Sequence, residues 1–499
     1  MLLTGINRSQ SESWILRFWS LNGRLGLNSW IKLGDYFLKR DKSTAMNALE
    51  KRSLVALSSL MGFRMFGLFL ILPVFVLYAP RLAGATPLTV GIALGAYGLT
   101  QAVLQVPFGM LSDRYGRKRM LSLGLLLFLF GSVVAALSSS IEGIILGRAI
   151  QGAGAISAVV LATLSDLTRE QTRTKAMAVV GVSIGFSFLL ALMLGPLLGQ
   201  WQGLSGLFWI TACLAVVALL VVWLAVPAAT RVSASVEILP VRSQISTVLF
   251  NRQLLGLNLG IFVLHMTLTA LFIVVPIGLR DTLGLVSASH WQFYVPVLVC
   301  SLIGMVPLLI YGMRRHRTFV VFRLAIALLL SAQLILIIGT GQTCFLISGV
   351  WLFFVGFNLL EAMLPSLMSR LAPAAGKGTA LGIYNTFQFS GVFAGGIVGG
   401  LIYGVWGMAG VYGFAACAVS VWLVLALSTS APALLESLTL RLVNTVEQEQ
   451  KDVLQRLSQA PGVREAVILP GRDLIYLKVD PAVVDEAALL QIDGVVAVD

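Results

Sequence analysis

Charge is what this 499-residue chain has least of: Asp, Glu, Lys and Arg make up 11% of it, against 58% hydrophobic residues. A soluble domain carries about 25% charged residues, so most of this surface must face something other than water. Cysteine is also scarce, with four residues, Cys213, Cys300, Cys344 and Cys417. All four lie in apolar stretches without paired spacing, which excludes a disulfide framework and a zinc site and predicts small core residues. A nucleotide-binding P-loop is missing, so ATP is not the driver. No nucleophile–base arrangement or metal-ligand cluster stands out, so an enzyme reading has little support and no cofactor or metal is expected.

The apolar residues are gathered into twelve runs close to the roughly 20 residues that a membrane helix needs: 53–79, 88–111, 119–138, 141–165, 175–199, 204–226, 253–279, 290–312, 319–338, 344–369, 378–402 and 405–428. The run from Thr89 to Leu111 would span about 34 Å as a helix. None shows the alternation over about ten residues of a β-barrel strand. The expected fold is an all-α membrane bundle of twelve transmembrane helices.

The net charge of +13 is distributed by loop. Arg114, Arg117, Lys118 and Arg119 follow the second run; Arg169, Arg173 and Lys175 follow the fourth; Arg231, Arg242 and Arg252 lie between the sixth and seventh. Arg314, Arg315 and Arg317 follow the eighth, and Arg370 and Lys377 the tenth. The alternate loops hold only Arg81 and Arg280, the latter beside Asp281. By the positive-inside rule the basic loops and both termini are cytoplasmic. Cations that line spans instead of forming one patch argue against nucleic acid as a partner; the partners expected are the lipid bilayer, a small-molecule substrate and protons.

Residues 1–50 form an N-terminal extension with tryptophans and cations but no continuous apolar core of the signal-peptide kind. It is read either as an amphipathic helix on the membrane or as untranslated in the native protein, with Met46 as the start. The spans divide into an N-terminal six-helix half (51–226), a cytoplasmic linker (227–252) and a C-terminal half (253–430). Arg173-Thr-Lys-Ala-Met-Ala178 and Lys377-Gly-Thr-Ala-Leu-Gly382, ahead of the fifth and eleventh spans, mark a diverged repeat. Residues 436–499 look soluble. Strands at 437–443, 463–469, 474–479 and 495–498, helices at 446–459 and 481–490, and a Pro470-Gly471 turn give the order βαββαβ, a small α+β ferredoxin-like domain. It resembles heavy-metal-associated domains, but their Cys pair is replaced by Asn444-Thr-Val-Glu447, so soft-metal binding is not expected. Self-association or a regulatory partner is the expected role.

Residues 109–119, Gly-Met-Leu-Ser-Asp-Arg-Tyr-Gly-Arg-Lys-Arg, resemble motif A of the major facilitator superfamily, between its second and third spans. Gly98–Gly109, Gly147–Gly152, Leu164–Gln171 and Asn358–Ser366 add to the likeness, and the tail domain points to one branch of that superfamily, generally described as proton-driven exporters of the bacterial inner membrane. The resemblance implies two six-helix halves with a substrate site between them near the midplane. It places Asp113 beside the start of span eleven, near Gly378 and Thr379, whose free N–H groups and dipole would clamp the halves shut on the cytoplasmic side. Gly109 and Gly116 would allow close approach and a tight turn. Arg117, four residues after Asp113 and so on the same helix face, would hold it in place. Arg114, Lys118 and Arg119 read equally well as topological anchors. The second copy, Tyr311–Arg317, has lost its acid. In span five, Gly181, Gly185 and Leu194-Gly195-Pro196-Leu-Leu-Gly199 resemble motif C of proton-coupled drug exporters; helix packing through small residues is the plainer reading.

Ionisable groups inside spans are costly and therefore functional candidates. Arg64, Arg148, His265 and Glu361 fall in spans one, four, seven and ten, the spans that line the central cavity in this superfamily. Glu361 and His265 are the proton-titrating candidates, with Arg64 and Arg148 as their charge partners. Tyr97, Gln101, Gln105, Gln151, Asn358, Asn385 and Gln388 are polar handles for substrate, or else glue between helices. The leading expectation is a proton-coupled exporter working by alternating access. A nutrient importer of the same fold and a transport-inactive sensor signalling through the tail are the alternatives.

Overall fold

The structure is a computed structural model that describes residues 46–227, 248–315, 317–373, 377–429, 436–442, 447–468, 474–480, 483–490, 492 and 494–497. The extension before Met46, most of the linker, and the Pro470-Gly471 turn lie outside the described residues.

Apolar runs of this length can satisfy their backbone groups in lipid only by forming helices. They do so close to the expected bounds. Span one is the helix Ala48–Phe69, opened by a capping box between Asn47 and Glu50. Pro73 lacks an N–H to continue it, so the chain loosens over Leu70–Val74 and regains one turn at Phe75–Tyr78. Spans two and three are Pro87–Tyr115 and Arg117–Leu137, separated by the single residue Gly116 at φ 96°. Span four is broken at Gly154 into Ile141–Ala153 and Ser157–Leu167. Spans seven to ten are Arg252–Asp281, Trp291–Arg314, Thr318–Ile338 and Thr343–Leu371.

The remaining four spans form two long helical segments, Glu170–Leu224 and Lys377–Ser428. A straight helix of 52 residues would be about 78 Å long, more than twice the roughly 30 Å bilayer core. Gly203 (φ 64°) and Gly407 (φ 62°) break them into spans five and six and spans eleven and twelve. A positive φ is open to glycine and strained for other residues, so each turn depends on one residue.

The halves meet at one end. Span two approaches span eleven so closely that a Cβ on Gly91 would sit 2.1 Å from the Gly396 carbonyl oxygen; one on Gly95 would lie 2.8 Å from that of Phe393. Both contacts lie toward the end remote from the basic loops. At the basic end, no group of span eleven hydrogen-bonds Asp113 among the described residues. The expected clamp contact is therefore not made among the described residues, while the halves touch at the far end.

The tail is a four-stranded antiparallel sheet in the order β2-β3-β1-β4, with β1 Glu436–Leu442, β2 Val463–Ile468, β3 Leu474–Val479 and β4 Val495–Ala497. Leu438 faces Leu477 and Leu440 faces Ile475 across β1 and β3. The helix Glu447–Gln459 adds Val453 and Leu457 to this small core. The fold class expected from the sequence is thus the one observed. Lys478 of β3, 2% exposed, donates to the Arg370 carbonyl (2.8 Å) and the Ser369 carbonyl (3.3 Å) at the end of span ten, fastening the tail to the basic end. The four cysteines are not core residues: all are exposed on the bundle surface. A membrane protein turns apolar side chains to lipid as readily as to its interior, so hydrophobic surroundings in the sequence did not separate the two places.

Candidate functional site

Each half holds its own cluster of polar side chains within the spans. In the N-terminal half, Arg64 is 1% exposed. The break at Gly154 takes its carbonyl out of the helical ladder; it accepts from the Ile156 N–H (2.8 Å) and from Arg64 (3.1 Å). It also donates to Ser157 (2.8 Å), the Tyr97 hydroxyl (2.7 Å) and Gln101 (2.6 Å), while Gln101 donates on to Gln105 (3.0 Å). Arg148 donates to Gln151 (3.1 Å), and Gln151 to Ser132 (2.8 Å). Both guanidinium groups lie against the Tyr97 ring, at 5.8 and 5.1 Å, within cation–π range.

In the C-terminal half, three spans converge. The His265 Nε2 lies 2.8 Å from the Gln388 side-chain nitrogen and 3.8 Å from a Glu361 carboxylate oxygen. The Glu361 side chain is 41% exposed and that of His265 11%, while the Glu361 oxygen that faces the ring is buried without a hydrogen bond. The structure thus brings together the two titrating candidates. It does not join them to Arg64 and Arg148: among the described residues no carboxylate lies within salt-bridge distance of either arginine. Their partners are neutral and belong to their own half, a correction to the expected charge pairing. Asn358 donates to Ser301 of span eight (2.9 Å), which is glue between helices. Asn385 is half-buried.

Aromatic rings lie at the junction. Phe69 and Phe188 of the N-terminal half meet edge to face at 5.0 Å, and Phe188 reaches Phe272 (6.2 Å) and Phe354 (6.4 Å) of the other half. Phe69 is five residues, about 7.5 Å, beyond Arg64 toward the far end. The rings therefore pack across the junction on the far-end side of Arg64.

At the basic end Arg117, 5% exposed, ties two spans together. It pairs with Asp113 (2.5 Å) and with Asp166 of span four (2.9 Å), and it donates to Ser112. Asp166 went unrecognised in the sequence because its partner is 49 residues away. Gly109 is near only Ala158, and Gly116 has open space around it. Lys118 donates to the carbonyls of Trp223 (3.0 Å) and Val226 (3.3 Å) at the end of span six, a contact beyond that of a topological anchor. In the motif C-like run, a Cβ on Gly195 would sit 2.5 Å from the Leu70 carbonyl oxygen, whereas Gly181 and Gly185 face open space. Only the former is a packing glycine in this state.

Glu50 was also missed. It lies in the first turn of the span-one helix, ahead of the apolar run that begins at residue 53, with its side chain 1% exposed. It accepts from the Arg169 backbone (2.8 Å) and guanidinium (3.0 Å) and from Thr172 (2.9 Å), fastening span one to span five. Burial alone would raise its pKa, but hydrogen bonds from Arg169, Asn47 and Thr172 hold it at about 2.

Comparison with known proteins follows the same lines. The pattern of the Major Facilitator Superfamily matches residues 57–396. The inner membrane transport protein YajR of Escherichia coli (strain K12) is 43% identical over 444 residues, covering 89% of this chain and 97% of that protein. An uncharacterized transporter of Buchnera aphidicola is 33% identical, covering 70% of this chain and 90% of its own. Among solved structures, a bacterial homolog of the human lysosomal transporter Spinster superposes with a TM-score of 0.62 at 13% identity, over 77% of this chain and 96% of that one.

Proposed function

The chain belongs to the major facilitator superfamily, and we propose that this multi-pass membrane transporter is a proton-coupled exporter of small molecules working by alternating access. It sits in the bacterial inner membrane, with the basic loops and both termini on the cytoplasmic side. Its relatives are transporters, and no catalytic role is assigned to any residue.

One observation carries the reading: His265, Glu361 and Gln388 converge from spans seven, ten and eleven in an otherwise apolar region. A carboxylate beside an imidazole can exchange a proton with water on its open side. Protonating Glu361 removes its attraction for a charged His265, and Gln388 on the ring nitrogen transmits the ring's state to span eleven. Span eleven is the helix that packs on span two at the far end. Protonation would thereby bias which end is closed. The Leu194–Gly199 run, with Gly195 against the Leu70 carbonyl, supports export over import. Asp113, Arg117 and Asp166 are the gate that would re-form against span eleven when the basic end closes.

The test is an imposed pH gradient across vesicles containing the purified protein, screened with lipophilic cations, drugs, sugars and metal ions. Gradient collapse by a compound, lost in Glu361→Gln and His265→Ala, is the expected result. Collapse that persists in both variants would remove these residues from coupling, and no response to any compound would move the protein toward a facilitator or sensor.

A further inference from the structure

Besides the polar clusters of the two halves, the bundle carries an open groove on its lipid-facing side. It runs between span one, from Lys51 to Phe63, and the Val217, Val221 and Ala225 stripe of span six, and encloses about 530 Å³. These positions recur every four residues, so each helix presents one continuous face to the groove. Its walls are apolar apart from the Ser59 hydroxyl, and at one end Lys51 and Arg52 stand exposed.

That end is built as well as basic. Arg52 donates to the carbonyls of Leu224 (2.8 Å) and Ala225 (3.0 Å), and Lys118 to those of Trp223 and Val226. Two cations thus hold the C-terminus of span six at the mouth, with Lys51 beside them. Each guanidinium has five N–H donors, and Arg52 uses only part of its set. The neighbouring acid, Glu50, is already taken by Arg169. Trp223, 63% exposed with Lys118 5.6 Å from its ring, marks the level of the membrane interface.

The internal repeat supplies a control. Spans seven and twelve occupy the corresponding place in the other half, and Arg323 caps span twelve there through the carbonyls of Ala426 (3.0 Å) and Thr429 (2.7 Å). In that half the space is filled. Trp422, 3% exposed, packs edge to face on Phe322 at 6.1 Å, and about 70 Å³ remains. The same architecture is plugged with aromatic rings in one half and left open in the other.

We propose that the open groove is a binding site for one anionic phospholipid of the cytoplasmic leaflet. Its phosphate sits among Lys51, Arg52 and Lys118, and an acyl chain lies along Val55, Phe63, Val217 and Val221. The length fits: twelve residues of helix from Lys51 to Phe63 rise about 18 Å, close to half of a core roughly 30 Å thick. Basic pockets between helices on the cytoplasmic side suit anionic headgroups. The assignment to the cytoplasmic leaflet rests on the orientation proposed above; the binding itself does not.

The test uses the full chain, delipidated in detergent and titrated with phosphatidylglycerol or phosphatidylcholine, with bound lipid counted by native mass spectrometry. The expected result is one retained phosphatidylglycerol per chain, at least tenfold preferred over phosphatidylcholine. Val55→Trp, at a position 66% exposed, fills the groove without altering charge and should abolish retention, as should the Lys51→Gln/Arg52→Gln pair. Arg252→Gln, in the plugged counterpart, should change nothing. Equal retention of both lipids, or undiminished retention in monodisperse Val55→Trp, would overturn the proposal. Because the assay involves neither transport nor sidedness, its failure would leave the exporter reading standing, and a failed flux assay would leave the lipid site standing.

Discussion

Replacing Gly91 with alanine should drive the far end of the transporter open. The added Cβ would fall 2.1 Å from the Gly396 carbonyl oxygen and 3.0 Å from the Gly400 Cα, so spans two and eleven must part by more than an ångström to restore ordinary contact. The obstruction is backbone on both sides and cannot be relieved by a rotamer change. Overpacking of this kind costs about 1–3 kcal/mol. The penalty falls only on the state in which these helices touch, so the far-closed population should drop relative to the far-open one by roughly 5- to 150-fold. Spin labels at Ser139 and Gln342, exposed far-end loop positions in opposite halves, placed in a background without the four native cysteines, would report the distance between the halves. The parent should give a short-distance population, and Gly91→Ala a new longer one. An unchanged distribution in a properly inserted variant would refute the claim that this glycine contact sets the closed state.

Three further outcomes are expected. Asp166→Asn leaves Arg117 short of a buried partner, a change that typically costs about 3–5 kcal/mol; a lower melting temperature and weaker transport, with normal membrane insertion, should follow, and wild-type values would exclude the pair from the gate. Glu50→Gln should lower stability equally at every pH between 5 and 8. The folded pKa of about 2 lies below the value in an unfolded chain, so the stabilisation is fully present above that unfolded value and fades only as pH falls through the folded one; a pH-dependent difference within 5–8 would contradict this, as read from thermal melts. Truncation after Ser430 should leave a folded bundle, because β1–β4 enclose a core of their own; loss of the membrane protein would show the tail to be structural.

The sequence disclosed the parts of this molecule governed by local chemistry. Span bounds follow from runs of apolar residues, and the tail's strand order was readable from alternation and turn residues within sixty positions. The pairing of Arg117 with Asp113 was legible because four residues keep the two close in the chain, although Gly116 ends the helix between them and the contact spans that turn. Asp166 and Glu50 were not, since their partners lie 49 and 119 residues away and only packing brings them near. His265 and Glu361 were found because ionisable groups stand out in lipid, but their joint contact with Gln388 depends on how three spans are set around one point. The expected pairing of Arg64 with an acid failed for a related reason. A carbonyl released by the break at Gly154, with hydroxyls and amides from neighbouring spans, satisfies the guanidinium, and no motif announces such a nest. The likeness to the superfamily, carried first by residues 109–119, is upheld over the length of the bundle.

The one-glycine turns at Gly203 and Gly407 bear on how the chain is made. Each joins its two spans without leaving a stretch of chain long enough to sit in water by itself. A connection this short favours placing both partners in the bilayer together as one hairpin, for spans five and six and for eleven and twelve alike, and Gly116 links spans two and three as tightly.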